Sequence, residues 1–196
     1  MKWSQRTRFL CFIILVLSCF IIPLDVIYTN IVKKEHITQQ ITRHLKNENI
    51  RIEDDTAKII SQSVYEESTQ HGLDYRLVLA LMKIESNFKH NAVSSMGARG
   101  LLQVKPSVAK FIAQDAGIQW DGYKTLDEPD SNIKIGVFFF SQLLKDFKNT
   151  NLALKAYNMG PTKVKQLALN NKQASRGFSG LVMKEYKKNT STFPDP

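Results

Sequence analysis

The pattern of apolar and polar positions divides the chain into an apolar head, a polar stretch and a series of helix-period segments. Residues 9 to 24, FLCFIILVLSCFIIPL, carry no charge. Residues 33 to 56, KKEHITQQITRHLKNENIRIEDDT, are polar and mixed in charge. Within them Ile37, Ile41 and Leu45 recur every fourth residue, which predicts a short amphipathic helix. A stalk is its default reading; a partner-binding helix and a helix packed on the domain are the alternatives. The Asn47 to Asn49 turn ends it. A further helix is predicted from Asp55 or Thr56, as N-cap, to His71. Its stripe is Ala57, Ile60, Val64 and Glu67, although Glu66 and Glu67 are both expected to be solvated charges. Gly72 closes that helix and Asp74 caps the next, DYRLVLALMKIES, which contains no Gly or Pro.

Pro106 opens another helix, to about Ala116, with Val108, Ala109, Phe111 and Ile112 on its apolar side and Gly117 at its end. Residues 118 to 130, IQWDGYKTLDEPD, read as a loop. Trp120 and Tyr123 in it either stack on a ligand or cover the core edge; the second reading comes first. The longest pattern runs from Ser131 or Asn132 to about Phe147. Its stripe of Ile133, Val137, Phe140 and Leu144 is widened by Ile135, Phe139 and Leu143, as expected for a central helix. A shorter helix from Asn151 reaches Tyr157 and Asn158, MGP breaks it, and another follows from Thr162. The prediction is a mainly α fold. Its segments are a membrane anchor or signal at 1–32, a linker or stalk helix at 33–54, a helical domain at 55–188 and a flexible tail at 189–196.

Composition fits one globular domain with additions: 196 residues, 43% hydrophobic and 23% charged. The first eight residues carry Lys2, Arg6 and Arg8 and no acid. The apolar run behind them is short of the roughly 20 residues of a span, and continuing through Val26, Ile27, Tyr28, Ile31 and Val32 reaches that length with Asp25 inside it. No small-x-small cleavage site follows it, and Val16, Leu17 and Ser18 make a poor lipobox before Cys19. An uncleaved inner-membrane anchor is therefore favoured over a cleaved signal or a lipoprotein signal. All three readings send the domain across the membrane. Cys11 and Cys19 are the only cysteines, so the exported part has no disulfide and no thiol nucleophile. His36, His44, His71 and His90 lack ligand spacing, so no metal is expected. The net charge of +9 suits an acidic partner, but the charges do not cluster with aromatics, and export argues against nucleic acid.

One carboxylate stands out. At 100° per residue Val78, Leu81 and Glu85 fall within roughly 60° of one another, so Glu85 lies on the apolar face of its helix. Burial and the negative helix end both raise its pKa, and an acid still protonated near neutral pH suits general-acid chemistry. A solvated surface Glu in a last helical turn is the ordinary alternative. After it, Gly97 and Gly100 flank Ala98 and Arg99, so the backbone there can turn tightly and approach a ligand. Leu101, Leu102 and Val104 enclose Gln103, whose amide can donate and accept towards a sugar.

Glu85, Ser86, Phe88, Asn91, Ala92, Ser94, Gly97, Ala98, Gly100, Leu101, Gln103 and Pro106 resemble the catalytic segment of the SLT-type lytic transglycosylases. These are lysozyme-like enzymes that cut peptidoglycan glycan strands. Leu126, Pro129, Asn132, Ile133 and Gly136 resemble the family's second block. Ala153, Leu154, Ala156, Tyr157, Asn158, Gly160, Pro161 and Val164 resemble its AYNxGP block. The resemblance covers about Asp74 to Tyr186. It implies a goose-type/SLT lysozyme-like helical domain with a small β-like loop region, and membrane-associated members of the family are the nearest in kind.

The resemblance also implies a reaction. Glu85 protonates the glycosidic oxygen between N-acetylmuramic acid and N-acetylglucosamine. The acetamido group steadies the anomeric carbon, as in substrate-assisted glycosidases. Glu85 then takes the proton of the muramyl C6 hydroxyl, and a 1,6-anhydromuramyl end forms without water. Ser86, Ser94 and Gln103 orient Glu85 or the sugars, while Tyr157 and Asn158 line the groove. The plain alternative for the last two is a buried Tyr with a satisfied hydroxyl and an Asn C-cap. No cofactor is required. Phe139 and Phe178 stand where the family often has Tyr. Asp115, Asp121, Asp127, Glu128, Asp130 and Asp146 lie near turns or on polar faces, which leaves no second catalytic carboxylate. The implied partners are glycan strands, the membrane and, as for some family members, a secretion or conjugation apparatus. The rivals are a hydrolase of the same bond and a non-catalytic wall-binding scaffold.

Overall fold

The computed structural model describes residues 5–48, 52–170 and 177–194, with side chains from residue 26 onward. Helices dominate: α1 (Gln5–Glu48), α2 (Asp54–Gln70), α3 (Tyr75–Ser86), α4 (Pro106–Ile112), α5 (Tyr123–Asp127), α6 (Pro129–Phe147), α7 (Thr150–Met159), α8 (Pro161–Leu169) and α9 (Gly177–Thr192). Two isolated antiparallel bridges, Val93 with Arg99 and Arg99 with Val104, form the small β-like region.

The chain divides into two units, residues 1–37 and a domain from Thr38 to Asp195. In the first unit Val26, Ile27, Tyr28, Ile31 and Val32 are all exposed. The apolar run 9–24 lies outside the residues whose side chains are described. Among the described residues no helix is long and apolar enough to cross a membrane. From Thr38, α1 belongs to the domain. Ile41 and Leu45 of the predicted stalk stripe are fully buried, and Thr42 Oγ1 lies 2.8 Å from Ser61 Oγ of α2. These residues match the packed-helix alternative.

Inside the domain α3 is the central rod. Every residue from Leu77 to Met82 is buried, because α3 is covered on several sides, most extensively by α9 and also by α2. Asp74 caps it as expected, accepting from the Arg76 amide at 2.9 Å. Its carboxylate also accepts from the Arg76 guanidinium and from Tyr186 Oη at 2.8 Å. These partners hold Asp74 below the usual carboxylate range against the opposing effect of burial. Asn189 Nδ2 donates to the Arg76 carbonyl, and Phe193 is buried. Residues expected in a flexible tail thus help to fasten α9 to α3.

Several local expectations are corrected. α2 starts at Asp54 with Glu53 as N-cap and no side-chain capping bond, where Asp55 or Thr56 was expected to cap. Glu67 is buried rather than solvated, since its stripe faces α6; its carboxylate stands 3.6 Å from His71 Nε2, and burial raises its pKa. Glu66 is exposed. The loop expected at 118–130 contains the short α5, and α6 starts at Pro129 because proline suits a first helical position. α4 stops at Ile112, earlier than Ala116.

Candidate active site

The site begins where α3 ends. Asn87 and Phe88 both have positive φ, +51° and +60°, and Phe88 is fully buried. Two successive left-handed non-glycine residues are costly and need support from the surroundings. The buried Phe88 ring supplies that anchor, with the His44 ring edge-on at 5.5 Å. The chain therefore turns sharply one residue after Ser86.

The loop that follows is closed by its own backbone. Gly100 N donates to the Ala92 carbonyl at 2.9 Å, and Arg99 and Val104 exchange both backbone bonds at 3.1 Å. Ser94 Oγ accepts from Ala98 N at 3.0 Å. Gln103, at φ +44°, donates through Nε2 to the Ala92 and Gly100 carbonyls at 3.1 and 2.9 Å. Both hydrogens of that amide are committed, so Gln103 offers a ligand only its oxygen. This narrows the donor-and-acceptor role expected from sequence.

Asn132, at the start of α6, is the residue whose role the sequence reading missed. It is buried. Its Oδ1 accepts from Leu102 N at 2.9 Å, and its Nδ2 donates to the Arg99 and Leu126 carbonyls at 2.9 and 3.0 Å. One side chain thus ties the glycine-spaced loop to α5 and α6. The fit requires glycine beside it: a Cβ on Gly100 would lie 2.1 Å from Asn132 Nδ2. A Cβ on Gly136 would meet the Leu102 side chain at 2.6 Å, so α6 passes directly under the loop. Both Asn132 and Gly136 stood in the second sequence block, which signalled their presence but not their task.

Glu85 is half-buried on the last turn of α3, and its pKa is pushed up to about 7. Desolvation is the sole cause. No charge or hydrogen bond among the described residues moves it. Tyr157, on α7, feels the Glu85 charge. Burial first, and then the Glu85 charge, raise the phenol well above its ordinary value. The Tyr157 hydroxyl donates to the Leu102 carbonyl at 2.7 Å. Structure therefore brings Glu85 and Tyr157 together with the Gln103 loop, and gives Tyr157 the satisfied hydroxyl of its plain alternative as well.

The other expected site residues are placed less directly. Ser86 is buried and its Oγ donates to the Met82 carbonyl at 3.1 Å, within its own helix. Ser94 pins the loop and keeps a hydroxyl proton to offer. Asn158 is exposed near the end of α7, where Gly160 is the C-cap. Tyr123, expected to cover the core edge, is exposed instead. The Arg99 guanidinium stacks 5.1 Å from its ring centroid and is itself held by Asp127 through two bonds of 2.7 and 2.9 Å. Phe139, lacking the family's hydroxyl, places its ring 5.4 Å from that of Tyr157. Phe178 is half-buried on α9.

A helical frame, a bridged glycine loop and a desolvated carboxylic acid at a helix end define the class of lysozyme-like domains. The family model for the transglycosylase SLT domain matches residues 62–177, and the chain belongs to that family. It is 30% identical over 117 residues to the transglycosylase of Enterobacteria phage PRD1, covering 60% of this chain and 39% of that protein. It is 32% identical over 119 residues to the membrane-bound lytic murein transglycosylase C of Salmonella typhi, covering 56% of this chain and 33% of that protein. The fold matches the X-ray structure of the lytic transglycosylase Slt of Pseudomonas aeruginosa, an inactive mutant. That match has a TM-score of 0.61 and 27% identity over 68% of this chain and 24% of that one. The chain thus spans well under half the length of these relatives.

Proposed function

We propose that this chain is a peptidoglycan lytic transglycosylase in which Glu85 is both the acid and the base. The observation that carries the reading is the pKa of Glu85, near 7 through desolvation alone. A carboxyl group with that pKa is protonated often enough to donate and, once ionised, basic enough to recover a proton. Inverting and retaining glycosidases place two carboxylates about 5 to 9.5 Å apart. Among the described residues no carboxylate shifts Glu85. Without one, water has no base of its own. The muramyl C6 hydroxyl is already on the sugar, and intramolecular attack can reach an effective molarity of about 10⁵ M or more.

The steps balance with one residue. The Glu85 proton passes to the glycosidic oxygen, the C1–O4 bond breaks, and the acetamido oxygen supports C1. The C6 oxygen then bonds to C1 as its proton returns to Glu85. Ser94 and Gln103 hold the loop against the sugars, Ser86 secures the last turn of the catalytic helix, and Tyr157 and Asn158 line the far wall. The Pseudomonas aeruginosa relative, described as inactive when a glutamate becomes glutamine, supports a carboxyl group at the centre of the reaction.

The basic flank of Lys2, Arg6 and Arg8, the uncharged run 9–24 and the exposed apolar residues Val26, Ile27, Tyr28, Ile31 and Val32 support a retained anchor. Under this reading the domain works in the periplasm. Digesting purified sacculi with the full chain and weighing the soluble muropeptides tests the reaction. Anhydromuramyl ends, about 18 mass units lighter than hydrolytic ends, are expected. Reducing ends would make the protein a lysozyme, and binding without fragments would make it a scaffold.

A further inference from the structure

The domain part of α1 reaches the end of the helix that carries Glu85. His44 and Glu48 stand one turn apart on it, outside residues 62–177, which the family model matches. The half-buried His44 ring packs T-shaped against two buried rings, 5.5 Å from Phe88 and 5.0 Å from Phe193, which follows α9. Glu48 accepts from Lys83 Nζ, and that ammonium group stands 5.6 Å from the Phe88 centroid. Phe88 is therefore held by an imidazole and by an ammonium group, the first belonging to α1 and the second fixed by it. Lys83 and Phe88 bracket Glu85, two residues before it and three after. The backbone between them turns on two bonds of 3.1 Å, from Asn87 N to the Lys83 carbonyl and from Lys89 N to the Ser86 carbonyl. Asn87 and Phe88 take positive φ there, which persists only where the surroundings over-determine it.

We propose that His44 and Glu48 are positioning residues for Glu85: from α1 they hold the Phe88 ring, and through it the left-handed turn that ends the catalytic helix. The proposal rests on the transglycosylase reading of Glu85. Burial keeps His44 below its usual pKa. The charged groups that reach it are Glu48 on its own helix, Lys83 on α3, and Lys188 and Glu185 on α9. The imidazole thus serves at neutral pH as an uncharged ring. Without that ring Phe88 loses packing, the strained turn relaxes and the last turn of α3 frays, which lets water reach Glu85. The carboxyl group owes its raised pKa to desolvation alone, so hydration returns it toward its ordinary value. A residue that only added stability would leave that value unchanged in the folded protein.

The test titrates the Glu85 side-chain carboxyl by NMR in the isotope-labelled full chain, free of substrate. His44→Ala should lower the midpoint by about one unit or more, and His44→Phe, which keeps a ring, should hold it within about half a unit of wild type. At pH 8 a midpoint one unit lower leaves about a tenth of the protonated Glu85, so kcat should fall about tenfold in His44→Ala with KM near wild type. Glu48 is partly exposed, so Glu48→Gln should fold even where His44→Ala does not. It frees Lys83, and hydrogen exchange at the Asn87 and Lys89 amides should rise about tenfold. A folded His44→Ala with the wild-type Glu85 midpoint, or Glu48→Gln with wild-type exchange at both amides, would overturn the proposal. So would a His44→Phe midpoint displaced as far as that of His44→Ala. The muropeptide ends made by the wild-type chain report on the reaction separately. Anhydro ends with an unmoved midpoint in His44→Ala refute the positioning role alone, and a lowered midpoint without anhydro ends refutes the reaction alone.

Discussion

The Tyr157 hydroxyl gives its proton to the Leu102 carbonyl and not to Glu85, although the charge of Glu85 reaches the phenol. A tyrosine that donated to the carboxylate would lower its pKa. With the proton spent on the loop, the phenol leaves desolvation unopposed at Glu85. The hydroxyl thereby both ties α7 to the glycine loop and leaves the acid form of Glu85 favoured.

Tyr157→Phe should therefore act on stability more than on the Glu85 pKa. It leaves the Leu102 carbonyl without its partner, at a cost on the order of 1–3 kcal/mol. A melting temperature lower by several degrees is expected, while the activity-versus-pH midpoint stays within about half a unit of wild type. A midpoint moved down or up by more than one unit would show that the hydroxyl bonds Glu85 directly.

Glu85→Gln should abolish cleavage, with a loss of roughly 100-fold or more, because an amide donates no acidic proton. It should also stabilise the fold. Glu85 has a folded pKa of about 7 against a usual 4.5. Between those values the unfolded chain releases a proton that the folded chain retains, so wild-type stability falls as pH rises through that window. The glutamine variant lacks this penalty. Its advantage should be near zero below pH 4 and grow to about 1–3 kcal/mol above pH 7. Denaturant midpoints of both proteins across that range measure the gap, and a constant difference would mean that Glu85 is not desolvated in solution.

Asn132→Ala should cost more than an ordinary surface change, about 3–5 kcal/mol, since it orphans the Leu102 amide and two carbonyls at once. Gly100→Ala should be as severe by a different route. Its Cβ would overlap Asn132, and φ is +75°. Both variants are expected to lose activity together with protection of the loop amides from hydrogen exchange. Retained protection at Gly100 and Leu102 in Asn132→Ala would show that the backbone bridges suffice alone.

What was legible in the sequence followed from periodicity and spacing. The stripe of Val78, Leu81 and Glu85 placed a carboxyl group against apolar neighbours, and that geometry produces its raised pKa. Asp74 as a cap and the long apolar pattern of α6 are local signals of the same kind. Glu67 belonged to a correctly read stripe, yet its charge suggested solvent, and the packing of α6 decided otherwise. Asn132 was present in a motif, but its three bonds join residues 99, 102 and 126, and no local rule reports contacts at that separation. Tyr123 was read as core-edge because an aromatic is costly to expose. In the fold its ring is exposed and carries the Arg99 guanidinium, which Asp127 holds, a contact between residues far apart in sequence.

The pH dependence of cleavage separates one catalytic carboxyl group from two. In a two-carboxylate glycosidase the rate falls at low pH as the ionised partner is protonated and at high pH as the acid is lost, which gives a bell. Here Glu85 must start protonated, and no neighbouring carboxylate moves its pKa. The rate should fall as pH rises through about 7, tenfold per unit beyond it, because the protonated fraction falls by that factor. No acidic limb with a carboxylate midpoint near 4 is expected while the protein remains folded. Initial rates of muropeptide release between pH 4.5 and 8.5, with folding checked by circular dichroism at each pH, measure the profile. A bell with an acidic midpoint above 4.5 would require a second titrating group and would return the hydrolase as the better reading.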